Sequence, residues 1–408
     1  MAESTNWRSS LTSSERYDNI QKLTTAIAAA GLDQSAFSLE DEAYRTASSR
    51  EEYDAACNLG TATPESHPPS PPFSPAETDD TNSDPGVTIG PFQNCHYIAS
   101  GITAEVYRCK IHALKVIVNT HNIEPHNPHR EAAILISLRS QNAPNIITLF
   151  ETFHDQHQHF VLVFPYMPLT LSHLISTQHP LSSPLPSRLL RPIFIALFRA
   201  LHHLHTNGII HRDVKPSAIL LSSPTPASPS DISLSDFGTA YHPRFSPASE
   251  PPSQKVLEIG TGPYRAPETL FGNRTYSAAV DLWAAGTTLA ECLLRRPLFD
   301  SPPAHEDGNQ LGLILSIFQT LGTPTEETWP EARRWRTKPF GMWRVWEGRV
   351  KEAGWEGLLP GVGERWRRLV EGLVRFESGE RVKAVEALEF KCLKGESEGG
   401  GRSGLEVE

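Results

Sequence analysis

Cysteine is scarce in this chain. The five residues Cys57, Cys95, Cys109, Cys292 and Cys392 are scattered over 408 positions, and no pair has Cys-x-x-Cys spacing. That speaks against a disulfide framework and a cysteine-based zinc site, and for a reducing compartment. Basic charge is also short: the formal net charge is −10, which argues against the cationic face that nucleic-acid binding requires. Long apolar runs are missing. The longest, Leu189 to Leu201, is interrupted by Arg191 and Arg199, so no membrane span is expected. The first residues lack the basic-then-apolar pattern of a leader. The expectation is a soluble cytoplasmic or nuclear protein with no internal repeats. What remains is 38% hydrophobic, enough for a substantial core.

Texture divides the chain into four parts. Residues 1–60 hold two helical patterns. One runs from Ser13 to Ala30, with Thr12 and Glu15 spaced as a capping box and Gly31 as a stop; the other runs from Leu39 to Asn58. They read as a marginal, surface-attached pair, or as a docking hairpin. Residues 61–92 turn to proline, serine, threonine and aspartate, a composition that cannot offset chain entropy by burial and reads as a linker. Its Thr63-Pro64, Ser70-Pro71 and Ser74-Pro75 dipeptides follow from composition alone. Residues 93–393 begin with β-type runs (His96 to Ala99, Val106 to Ile111, His112 to Val118). A helical stretch from Pro128 and a strand at Phe160 to Phe164 follow, and the rest to Cys392 is mostly helical. The expected fold class is α+β, with a β-rich lobe, a helical lobe and a ligand cleft between them. Residues 394–408 are rich in glycine, serine and glutamate and read as a flexible tail.

Three motifs carry chemistry. His211-Arg212-Asp213-Val214-Lys215-Pro216 follows a long apolar helix pattern. Ser235-Asp236-Phe237-Gly238 comes next, then Ala266-Pro267-Glu268. In this order and spacing the series resembles the protein-kinase signature set, over roughly residues 93 to 393. The resemblance implies a bilobal kinase fold that uses ATP and magnesium. It implies that Asp213 takes or orients the substrate hydroxyl proton, that Lys215 steadies the transferring phosphate, and that Asp236 holds magnesium. Phosphoryl transfer calls for this kind of positioning and charge neutralisation more than for covalent help.

Further positions follow from the same resemblance. Lys115, ending the run Ala113-Leu114-Lys115, matches the ATP-binding lysine, and Glu131 its helical partner. The phosphate-covering loop places Ala99, Gly101 and Ala104 where three glycines are usual, followed by Val106. Alanine is the smallest substitute for a residue that lets backbone approach phosphate. Pro165 and Met167 match the adenine hinge. Pro165 has no N–H, but only its carbonyl is implied in binding, whereas Met167 offers both groups. A larger departure is Ala218, three beyond Lys215, where the family has an asparagine that binds a second magnesium. Ser217 and the insert Ser222 to Ser230 are the nearby alternatives for that ligand.

Lys215, and Thr261 before Pro263-Tyr264-Arg265-Ala266-Pro267-Glu268, match serine/threonine rather than tyrosine kinases. Asp281 is implied to brace the catalytic loop, and Arg381 to pair with Glu268. Arg296-Pro297-Leu298-Phe299 and the run Ile317 to Pro324 resemble the insert of cyclin-dependent kinases. Asn127 and Pro128 read as N-cap and first helical residue. That starts the helix bearing Glu131 late and puts His129 at the cyclin-docking position, so cyclin dependence is not expected. The usual phosphothreonine position of the activation segment, Asp236 to Glu268, holds Val256, and Ser246, Ser249 and Ser253 lie out of register. With Gly260-Thr261-Gly262-Pro263-Tyr264, this resembles the fungal single-subunit kinases that activate cyclin-dependent kinases. Two alternatives stay open: a pseudokinase scaffold, favoured by Ala218 and the glycine-poor loop, and a cyclin-bound kinase.

Overall fold

The computed structural model describes residues 19, 22–23, 39, 43–44, 47, 49–57, 86–101, 103–118, 125–178, 183–301, 309–335 and 354–394. The chain divides into two compact units, between Thr81 and Asn82. In the first, helix α1 (Arg50–Ala56) is capped by Ser49, whose side chain accepts from the Glu52 N–H. Tyr53 and Cys57 pack with Leu23, Ala43 and Ala47 in a small apolar cluster. Most of the pattern expected at 13–30, the proline-directed dipeptides and the tail beyond Lys394 lie outside the described residues.

The second unit opens with a six-stranded antiparallel sheet, β1 (Val87–Ile89), β2 (Phe92–Ser100), β3 (Ala104–Cys109), β4 (His112–Ile117), β5 (Glu151–His154) and β6 (Phe160–Pro165), in the order β1-β2-β3-β4-β6-β5. β1 falls inside the segment expected as linker: Ile89 pairs with Phe92, and the buried Ile89 side chain joins the sheet core. Strand alternation explains the sheet's two faces. Leu114 and Val116 of β4 enter an apolar cluster with Cys95, Cys109, Val161 and Val163, which leaves Lys115 on the opposite face. That face meets helix α2 (Pro128–Ser140). The helix starts where the sequence indicates: the Asn127 side chain accepts from the Arg130 N–H at 2.9 Å, with Pro128 in the first turn.

The helical part contains a small sheet, β7 (Leu169–Thr170), β8 (Ile219–Leu221) and β9 (Ile232–Leu234), beside helices α3 (Leu171–Thr177) and α4 (Ser187–Thr206). Leu190, Phe194, Leu197, Leu201 and Leu204 form one buried stripe of α4 at helical spacing. α5 (Ala279–Leu294) and α7 (Glu364–Leu373) pack closely at Gly286, where any Cβ would come within 2.7 Å of Leu373. α6 (Asn309–Leu321) carries the start of the insert motif. Its Phe318 stacks on Phe271 at 6.1 Å, and Trp329 meets Phe271 edge-on at 5.5 Å, so the insert builds core as well as surface.

Candidate active site

Four paired positions line one face of the first sheet. Ala99 pairs with Val106, Val106 with Lys115, and Lys115 with Leu162; directly opposite residues share a face. The loop between β2 and β3 closes with the Gly101 N–H donating to the Ala104 carbonyl at 2.8 Å. Among the described residues, a Cβ on Gly101 would meet only that carbonyl oxygen, at 3.8 Å. Pro165 ends β6 opposite His112. The Tyr166 N–H donates to the Ile111 carbonyl at 2.7 Å, and Met167 packs partly buried against the core.

Lys115 Nζ lies 2.9 and 2.8 Å from the two Glu131 carboxylate oxygens and 3.6 Å from Asp236 Oδ1. Burial alone would lower the Lys115 pKa, but the charges of Glu131 and Asp236 outweigh it and push the ammonium above its ordinary range. At Asp236, desolvation alone would raise the carboxyl; Lys115, Lys215 and nearby histidines bring it below the usual carboxylate range instead. α2 is fastened to the same segment, because the Asn127 N–H donates to the Gly238 carbonyl at 3.0 Å. A Cβ on Gly238 would lie 3.5 Å from Glu131 Oε2 and 3.7 Å from both Asp236 Oδ1 and His126 Nδ1. His126, which carried no sequence signal, thus joins the acidic group.

Below this lies a second cluster. Lys215 Nζ donates to Asp213 Oδ2 at 2.5 Å and to Thr261 Oγ1 at 2.9 Å, and Thr261 Oγ1 donates to Asp213 Oδ1 at 2.7 Å. Asp281 supports the loop from beneath. Its carboxylate accepts from the backbone N–H groups of His211 (2.9 Å) and Arg212 (2.8 Å) and pairs with His205 Nε2 at 2.9 Å. Arg212 and Asp236 both have left-handed backbone, with φ of 72° and 64°. Such strain persists only where surroundings dictate it. Asp281 supplies that for Arg212, and the Phe237 ring, wholly buried edge-on to His211 at 4.8 Å, anchors the residue after Asp236. Glu268 is buried and forms a two-pronged pair with Arg381, at 2.6 and 2.7 Å.

Ala218 is buried, and its carbonyl accepts from both the N–H (2.8 Å) and the Oγ (2.9 Å) of Ser235. The two alternatives for its missing ligand fare differently. Ser217 is exposed beside it. The Ser222–Ser230 insert forms the far end of the β8–β9 hairpin, where Ser222 bonds Asp231 and Asn145 bonds Pro229 and Ile232. The paired strands Ile219–Leu221 and Ile232–Leu234 lie between it and both Ala218 and Asp236.

The protein kinase domain family matches residues 92–392, well over half of the chain. This chain belongs to the protein kinase family. It is also 28% identical to the serine/threonine-protein kinase CAK1 of Saccharomyces cerevisiae, over 278 residues that cover 58% of this chain and 75% of the relative. The protein is a serine/threonine protein kinase, and a protein kinase domain in general uses ATP and Mg²⁺. The donor set fits such a metal. Among the described residues no three His, Cys, Asp or Glu side chains gather into a cage, while the Asp236 side chain is 46% exposed. Magnesium suits such a place, since it retains waters and shares ligands with phosphates. No described helix of this kinase is long and apolar enough to cross a membrane.

Proposed function

We propose that this kinase transfers the γ-phosphate of ATP to a threonine or serine in the activation segment of a cyclin-dependent kinase. The observation that carries the reading is the Asp213–Lys215–Thr261 triangle beside Lys115–Glu131–Asp236, with Val256 at the usual phosphothreonine position. The likeness to the fungal single-subunit kinases and to the yeast relative supports the choice of substrate.

In this mechanism the substrate hydroxyl oxygen forms a bond to the γ-phosphorus while the bond to the β–γ bridging oxygen breaks, and ADP leaves. Asp213 orients the hydroxyl and accepts its proton. Lys215 neutralises the transferring group, and Thr261 holds both side chains in place. Lys115, kept upright by Glu131, holds the α- and β-phosphates. Ala99, Gly101 and Val106 cover the nucleotide, and the backbones of Pro165 and Met167 bind adenine. Asp236 would hold the magnesium, which would supply neutralisation of phosphate charge. Glu268, locked by Arg381, anchors the end of the activation segment.

One observation favours a second reading, a scaffold without catalysis: the methyl side chain of Ala218, which cannot bind metal. The deciding experiment supplies labelled ATP, magnesium and an unphosphorylated cyclin-dependent kinase, with Asp236→Ala as control. Label on the substrate's activation segment, absent in the control, supports the proposal. Transfer to generic substrates only removes the substrate assignment. No transfer to any substrate, and no metal-dependent nucleotide binding by folded protein, overturns the proposal and puts the scaffold reading first.

A further inference from the structure

The stretch Ser246 to Gln254 is made of proline, serine, alanine and polar residues, and most of it is exposed. Glu250, at its middle, is buried, with 4% of its surface exposed. Its carboxylate meets two guanidiniums from distant elements. Arg212 Nη2 donates to Glu250 Oε1, whereas Arg130 Nη1 lies 4.0 Å from Glu250 Oε2, an ion pair without a hydrogen bond, and Arg130 Nη2 donates to the Pro125 carbonyl. The side chains of Arg130 and Arg212 are 2% and 0% exposed. The Val256 N–H donates to the same Oε1 at 3.0 Å. Lys255 stands nearby, its ammonium held by the carbonyls of Pro252 (2.6 Å) and Tyr276 (2.8 Å) and lying over the Tyr276 ring at 5.1 Å. Burial, with the charge of Arg212 next, lowers its pKa; Glu250 opposes the shift.

The charges favour an anion at this point. Arginine does not deprotonate in proteins, and a buried charge without a counter-charge is strongly unfavourable. An anion between Arg130 and Arg212 therefore offsets the cost of burying the two cations near each other. Each is also the immediate chain neighbour of a site residue: Arg130 precedes Glu131, and Arg212 precedes Asp213. The carboxylate thus joins α2, the catalytic loop and the activation segment at one point. Removing it would free two like charges to separate, carrying Glu131 and Asp213 with them.

We propose that Glu250 is a positioning residue, a built-in anion that keeps the active site assembled so that catalysis needs no phosphate on the activation segment. This rests on the kinase activity and not on the substrate proposed above, so it is tested with a generic serine peptide. Phosphatase-treated protein, shown by mass spectrometry to be unmodified between Asp236 and Glu268, retains the kcat of untreated protein. Glu250→Gln, which keeps shape and removes charge, lowers kcat per folded molecule by about tenfold or more, with KM for ATP changed less than about threefold. Glu250→Asp recovers part of the loss. In Glu250→Ala, inorganic phosphate at millimolar concentration restores part of kcat, whereas Asp213→Asn is not rescued. A merely structural role would lower the melting temperature without anion rescue. Full kcat in Glu250→Gln, or loss of wild-type activity on phosphatase treatment, overturns the proposal. If Glu250→Ala does not fold, the phosphatase and Glu250→Gln arms decide.

Discussion

Thr261 donates its hydroxyl proton to Asp213 at 2.7 Å while accepting from Lys215 at 2.9 Å. One hydroxyl serves both because it has one proton and two lone pairs. It thereby joins the activation segment to the catalytic loop across 48 residues of sequence. Thr261→Val keeps the side-chain shape and removes both hydrogen bonds. A hydrogen bond to a charged group contributes about 1.5–3 kcal/mol, so kcat is expected to fall by about tenfold to a hundredfold. Thr261→Ser retains most of the rate. Steady-state kinetics on a serine peptide, with thermal melts to show unchanged folding, check both.

Ala218 leaves magnesium with Asp236 as its side-chain ligand in the proposed site. Ala218→Asn adds an oxygen donor three residues beyond Lys215. The magnesium concentration for half-maximal activity is expected to fall by several-fold. A titration of rate against free Mg²⁺ measures it, and an unchanged or higher midpoint counts against metal binding at this position.

Arg381 and Glu268 are both buried, and Arg381 also donates to the carbonyls of Ala279 (2.9 Å), Arg375 (2.9 Å) and Phe376 (3.2 Å). Removing one partner of a buried pair costs about 3–5 kcal/mol, because the other charge is stranded. Glu268→Ala should therefore lower the chemical-denaturation stability by that amount. A loss below about 1 kcal/mol would place the pair among weak surface contacts.

Burial by itself raises the Asp281 carboxyl, but the hydrogen bond and charge of His205, together with His211, hold it below the usual carboxylate range. A depressed folded-state pKa means that the unfolded chain takes up the proton first as acid is added. The stabilisation is complete above the unfolded aspartate value, about 3.9, and is lost as pH falls through the folded value. Urea midpoints measured through this acid range should fall less steeply in Asp281→Asn than in wild type. Equal slopes would remove Asp281 from the acid limb.

Much of the site was legible as linear motif. His211 to Pro216, Ser235 to Gly238 and Ala266 to Glu268 are contiguous, and each encodes local backbone and chemistry together. The N-cap at Asn127 was legible for the same reason: its side chain and the Arg130 N–H are three residues apart. The β-type run His112 to Val118 indicated a strand carrying Lys115, and the structure places Lys115 on the face opposite Leu114 and Val116. The start of the sheet was not legible. β1 is three residues long and set among prolines and glycines, and its register comes from pairing with β2.

The sequence by itself determined the family and the two-part α+β architecture, and it marked the carboxylates and lysines proposed to carry the chemistry, because those residues occur in fixed local patterns. Tertiary structure alone decided the fate of Glu250. Its neighbours in sequence read as an exposed loop, and its partners lie 38 and 120 positions away, at Arg212 and Arg130. No local periodicity signals such a pairing. It arises because folding buries two permanent cations near each other, and a third part of the chain brings a carboxylate to them, which offsets the cost of burying charge.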